Sequence, residues 1–202
     1  MKAIEKRLGI ARSTVSLWVR EIELSDRERA EIALRGASAR SRARSAYYRA
    51  RRRHFQEEGR AVAKLGEPLH MAGCMLFWAE GSKHRNVVQL TNSDPAMIAF
   101  FAHFLRQYFE HDASLRLSCN LFADHGERQR EIEDFWLATA GLPRKCLTKS
   151  QVNTYSRASK RTRTGKLPYG TCRMTLHSTR AVQHIYGAIQ EYGGFERPEW
   201  LD

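Results

Sequence analysis

Glu80 and Lys83 are the most unusually placed charged residues of this sequence, at the end of its most apolar run. They close the stretch His70 to Lys83, which reads HMAGCMLFWAEGSK. The nine residues from Gly73 to Gly81 carry one charge, Glu80. If the run is a helix, Gly81 is its natural stop. Glu80 then sits in the last turn, near the negative end of the helix dipole, where a carboxylate is mildly unfavourable. A cation at that point, metal or side chain, makes the placement sensible. Lys83, three residues on, can serve as that cation and neutralise Glu80.

A second set of polar residues comes from strands. Asn86–Asn92, Leu115–Leu121, a weaker stretch Cys146–Tyr155, and Tyr169–His177 alternate in polarity or read as short strands. Val88, Leu90, Leu117, Cys119, Leu121, Cys172, Met174 and Leu176 fall on one face. The other face collects Gln89, Thr91, Arg116, Ser118, Asn120, Lys149, Gln151, Asn153, Arg173, Thr175 and His177, without an Asp or Glu. Arg, Lys, Gln and Asn are the side chains that pair with base edges. The plain alternative is an antiparallel sheet with one wet face. The loop Arg157–Lys166 adds Arg157, Lys160, Arg161, Arg163 and Lys166.

A third set lies at the N-terminus. KAIEKRLGIARSTVSLWVR puts Ile4 and Leu8 one helical turn apart, then Gly9 as a turn, then Val15 and Trp18 on one face of a second short helix. The LGI turn followed by STVSLWV resembles the second and third helices of a resolvase-type helix-turn-helix. The resemblance implies that the second helix lies in a major groove. Arg12, Ser13, Thr14, Ser16 and Leu17 would then face base edges, with Arg20 on phosphate. Glu5 stands where that family has a small residue, and the first of the usual three helices has no counterpart after Met1. An ordinary amphipathic helical hairpin is the other way to read these residues.

The elements that must position these sets follow from punctuation and period. Ser25 with Glu28 forms a capping box, and Gly36 is expected to interrupt the helix it opens. Arg35 to Lys64 holds 10 basic residues, opposed by Glu57 and Glu58. Tyr47, Tyr48 and Phe55 offer it little core, so it is expected as a basic connecting helix, with Arg51, Arg52 and Arg53 along a phosphate backbone. A solvated linker is its plain alternative. Pro68 suits the first turn of the apolar helix. Asp94 caps a helix with Met97, Ile98, Phe101, Leu105 and Tyr108 as its stripe. A further helix near Glu127–Ala140 uses Ile132, Phe135 and Trp136. Ser178 or Thr179 caps a last helix with Val182, Ile185 and Ile189. The tail after Gly193 and Gly194 is expected to be loose.

Formal net charge is +12. Residues 1–66 hold 17 Lys/Arg against 8 Asp/Glu, and the rest hold 17 against 14. So local an excess points to a polyanion, above all nucleic acid. Cys74, Cys119, Cys146 and Cys172 form no CxxC pair, which argues against a zinc ribbon or redox motif and for small core residues. The apolar run is too short for a bilayer and no signal peptide is visible, so no membrane partner and a cytoplasmic, nucleoid-associated place are expected.

LFWAEGS, Leu76 to Ser82, followed by the order helix, strand, helix, strand and a later strand and helix, resembles the LAGLIDADG homing-endonuclease superfamily over about residues 68–193. The resemblance implies that the motif helix packs against a second copy, and that Glu80 takes the place of the acid that binds a divalent cation for strand cleavage. Ala79 and Gly81 match the flanking small residues. Trp78 replaces another acid, and Cys74 and Met75 replace small residues of the pairing face. One motif per chain implies a homodimer. Joined to a helix-turn-helix, it also resembles regulators built on a degenerate domain of this kind, in the reverse order.

The expected fold class is α+β. It comprises a helix-turn-helix (1–24), a basic helix (25–66), a LAGLIDADG-like domain of mainly antiparallel sheet with helices on one face (67–195), and a tail (196–202). The expected function is sequence-specific binding of double-stranded DNA by a dimer, without a cofactor. The alternative is a DNA endonuclease with Glu80 as ligand to Mg²⁺ and Lys83 beside it. RNA binding is disfavoured because no strand is rich in aromatic residues for stacking.

Overall fold

The computed structural model describes residues 2–20, 22–109, 115–153 and 167–202. Among them the chain is α+β, with seven α-helices and one four-stranded mixed sheet. It divides into two compact units, Met1–Tyr47 and Tyr48–Asp202. No described helix is long and apolar enough to cross a membrane.

In the first unit α1 (Lys2–Leu8) and α2 (Arg12–Trp18) are joined through Gly9, whose φ of 65° is the left-handed value a glycine adopts freely. Ser25 opens α3 (Asp26–Ala63) as its composition predicts. Ser25 N and Oγ both donate to Glu28 Oε2, at 2.9 and 2.7 Å, and Glu28 N donates back to Ser25 Oγ. Gly36 does not interrupt this helix. One glycine costs a helix only about 1 kcal/mol, and the Ala- and Arg-rich residues around it restore that. Val15 is wholly buried, whereas Trp18, its expected face partner, is 60% exposed.

The second unit begins inside α3. Phe55, Gln56, Gly59 and Ala63 are buried, so the later part of this helix is core rather than connector. The sequence conceals this because its apolar residues there are few. Contact is made by glycine instead: a Cβ on Gly59 would lie 1.9 Å from the His184 carbonyl oxygen, and one on Gly187 2.0 Å from that of Gln56. Two helices cross backbone to backbone at these positions. Their partner helix α7 (Thr179–Gly193), capped by Ser178 Oγ on Ala181 N, is buried at every residue from Ala181 to Gln190. That exceeds the single stripe of Val182, Ile185 and Ile189.

Between them run α4 (Pro68–Glu80), β1 (Val88–Asn92), α5 (Pro95–Phe109), β2 (Leu115–Phe122), α6 (Gln129–Ala140), β3 (Gln151–Asn153) and β4 (Thr171–Leu176). The sheet order is β1-β4-β2-β3. β4 pairs antiparallel with both neighbours, and β3 is a short parallel edge on β2. The expected strand over Cys146–Tyr155 starts later, since Arg144–Cys146 is a 3₁₀ turn. Buried Glu133 holds this edge. Its Oε1 accepts from Gln129 Nε2 and Ser150 Oγ, both at 2.8 Å, and its Oε2 from Arg144 at 3.1 Å.

The tail is packed, not loose. Pro198–Leu201 forms a 3₁₀ turn, Trp200 stacks on Tyr186 with centroids 4.4 Å apart, and Leu201 is buried. Aromatic burial outweighs the entropy that two glycines would otherwise release.

Candidate nucleic-acid interface

The sheet's pleat separates its two faces as the alternation predicts. Val88, Leu90, Leu117, Cys119, Leu121, Cys172, Met174 and Leu176 are all buried in one core with the helices. On the other face, register aligns polar side chains into rows across the strands. Gln89, Thr175 and Arg116 form one row; Thr91, Arg173 and Ser118 the next; Thr171, Asn120 and Gln151 the third. Opposed residues in such rows have Cβ atoms about 5 Å apart. All nine are partly or fully exposed and none is acidic. Lys149 is exposed just before β3, Asn153 at its end, and His177 just after β4. Arg157, Lys160, Arg161, Arg163 and Lys166 lie outside the described residues.

Several members of the face are already tied down. Gln89 Nε2 donates to Ser82 Oγ at 3.1 Å, Asn120 Nδ2 to Thr171 Oγ1 at 3.3 Å, and an Arg116 Nη to the Leu115 carbonyl at 3.1 Å. Arg173 Nε is buried without a partner among the described residues.

Helix α4 ends at Glu80 for a reason other than the one its glycine suggests. Gly81 is extended, with φ −77° and ψ 149°, and bridges to Leu90. Its small size is what counts, since a Cβ there would lie 2.3 Å from the Phe77 ring. Lys83 supplies the cap. Its ammonium donates to the carbonyls of Phe77, Trp78 and Gly81 at 3.1, 2.8 and 2.6 Å. That uses all three of its protons, so Lys83 holds the helix end instead of standing free for a phosphate. Partial burial pulls its pKa down and Glu80 opposes this. Glu80 is exposed and has no hydrogen bond or ion pair among the described residues. No group of three or more His, Cys, Asp or Glu among those residues is arranged to hold a metal ion.

The inner face of α4 packs within its own chain. His70, Gly73, Cys74 and Phe77 are buried, so Cys74 belongs to the core and not to an outer pairing face. The opposite side is an apolar stripe of Met71, Ala72, Met75, Trp78 and Ala79, exposed except for half-buried Met75.

In the first unit Arg12, Ser13, Ser16, Leu17 and Arg20 are exposed and Thr14 half-buried. The arginine triplet of α3 is split by its neighbours. Arg52 Nε donates to the Leu201 carbonyl at 2.6 Å, and partial burial and nearby Arg85 push its pKa down. Arg51 lies 5.5 Å from the Phe55 ring centroid. Arg53 is exposed, with no ion pair or hydrogen bond among the described residues. Arg52 therefore fastens the tail and leaves Arg53 as the free cation of the three.

Besides the cluster around Glu133, two further buried polar clusters among the described residues escaped the pattern of the sequence. Gln56 donates to Gln183 Oε1 at 2.7 Å and accepts from Gln190 at 3.1 Å, while Gln183 also reaches the Arg85 and Trp200 carbonyls. His70 Nε2 meets His184 Nε2 at 3.0 Å, and His70 Nδ1 meets the Tyr192 hydroxyl at 2.8 Å. One Nε2 must carry the proton and the other accept it. Burial lowers the pKa of both, His184 to about 4. The only trace of these clusters in the sequence is the i, i+7 spacing of Gln183 and Gln190 around His184. No family model, no curated protein and no solved structure matches this chain.

Proposed function

We infer that this chain is a DNA-binding protein that acts as a dimer. The observation that carries this is the face of nine aligned polar residues, free of carboxylates, on a sheet whose other face is core. Such a face presents hydrogen-bonding side chains to a polyanion without repelling it. The short α2, with Arg12, Ser13, Ser16 and Arg20 exposed, and the Arg-rich start of α3 offer further contacts to base edges and phosphates. A second copy is the partner that suits the outer stripe of α4. A helix apolar on all sides belongs in an interior, and a symmetric pair would cover Met71, Met75 and Trp78 together.

Retardation of duplex DNA over a salt series is the test. Binding whose logarithm falls linearly with log salt, and which differs between random and selected duplexes, is expected. Failure to bind any duplex at low salt would sink the proposal. Glu80, exposed and without an ion pair among the described residues, favours one further reading, a Mg²⁺-dependent endonuclease whose second carboxylate comes from the second copy. Plasmid cleavage with Mg²⁺, lost in Glu80→Gln, would establish it; intact plasmid under conditions of binding would remove it.

A further inference from the structure

Arg173 occupies the centre of the polar face, with Thr91 beside it on β1 and Ser118 on β2. It differs from its neighbours in one respect. Gln89, Asn120 and Arg116 each spend a donor inside the protein. Arg173 Nε is the one buried side-chain nitrogen or oxygen among the described residues that has no hydrogen-bond partner. A guanidinium keeps its proton under all ordinary conditions, so neutralisation cannot relieve the deficit. Buried donors without acceptors are rare, and an acceptor from outside the chain is one resolution. No described strand residue on this face is a carboxylate that could serve.

The position of the unpaired atom bears on the kind of acceptor. Nε is the guanidinium nitrogen nearest the backbone, and the residues opposite Arg173 on the two neighbouring strands, Thr91 and Ser118, carry short hydroxyl side chains. A guanidinium offers Nε and one Nη as parallel donors along one edge. Two oxygens of one phosphate match that edge. Hydroxyls of Ser and Thr are donors to phosphate as well.

We propose that Arg173, with the hydroxyls of Thr91 and Ser118, forms a seat for one phosphate group of the nucleic-acid backbone. This rests on the DNA-binding reading and narrows it. The middle row positions the backbone, and base edges fall to the outer rows with Gln89, Arg116, Asn120 and Gln151. Discrimination between sequences is then carried by the outer rows, while the middle row contributes equally to all.

The test follows the Nε–H resonance of Arg173 by nitrogen-edited NMR on the full chain, identified by its loss in Arg173→Lys. Inorganic phosphate is added at constant ionic strength, with chloride as the balancing anion. A saturable shift of this resonance, abolished in Thr91→Val with Ser118→Ala, is expected. Arg173→Lys is expected to weaken selected and scrambled duplexes alike, by about tenfold each. A resonance that phosphate leaves unmoved overturns the seat, even where the protein binds duplex. So does an Arg173→Lys protein whose loss is confined to one duplex, because that is the signature of a base contact. A phosphate-dependent shift in a protein that binds no duplex keeps the seat and removes the DNA-binding reading instead.

Discussion

The two ends of α3 share a helix and an arginine-rich composition, yet they do different work. Up to Tyr47 the helix is exposed almost throughout, and a Cβ on Gly36 would meet nothing within 4 Å. From Tyr48 on, Gly59 is jammed against α7 and several of the cations, though not Arg53, are engaged. Arg49 pairs with Asp202 at 2.9 Å, Arg52 holds the Leu201 carbonyl, and Arg60 pairs with Glu196 at 2.7 Å. Composition alone does not separate a cation that awaits a ligand from one that fastens its own chain. What separates them is whether acids and carbonyls from distant sequence arrive beside them.

The largest break in this comparison comes from the glycines. Gly59→Ala or Gly187→Ala should cost roughly 3 kcal/mol or more, because backbone must move to admit the methyl group. A urea midpoint unchanged by either substitution would disprove the close crossing of α3 and α7. Acid comes next. The first unit contains no histidine, whereas the second buries His70 and His184. The folded pKa of His184, about 4, lies below its ordinary value of 6.5. The stability this neutral pair contributes is therefore complete above pH 6.5 and is lost as pH falls toward 4. The loss should reach about 3 kcal/mol, read from denaturant midpoints of the second unit at pH 7, 5.5 and 4.5. A flat profile would mean that the imidazoles are hydrated.

The arginines sharpen the comparison further. Arg52→Ala should lower stability by about 1–2 kcal/mol through the lost carbonyl bond, with little change in the salt dependence of DNA binding. Arg53→Ala should leave stability alone and reduce the salt slope by about one. If both substitutions flatten the slope, the tail does not hold Arg52 in solution. The smallest effect has the opposite sign. Gly36→Ala should stabilise α3 by about 0.5–1 kcal/mol, measured as helicity on heating, while the same change at Gly59 destabilises.

Some of this was legible from residue types. The rows of the sheet follow from period-two alternation in Leu115–Leu121 and Tyr169–His177, since a pleat sends neighbours to opposite faces whatever surrounds it. The caps at Ser25, Asp94 and Ser178 were equally local: each side-chain oxygen meets an amide two or three residues away. The cap that Lys83 makes was not legible from spacing, because a lysine near a carboxylate and a lysine folded back onto carbonyls have the same sequence. Glu80 kept its exposed place at the end of α4, but no second acid of the same chain joins it among the described residues.

The sequence by itself determined the class of the fold, the two faces of the sheet, the caps and the positive excess of the N-terminal third. These depend on intrinsic preferences and on residues within one or two turns of each other. Only the tertiary structure decided that the second half of α3 is core, that α7 is buried on all sides, that the tail is fastened, and which arginines remain available. Those outcomes rest on contacts such as Gly59 with His184, Gln56 with Gln183 and Arg52 with Leu201, each more than a hundred residues apart in the chain. A glycine that admits a helix and one that merely weakens a helix look alike until the partner is in place.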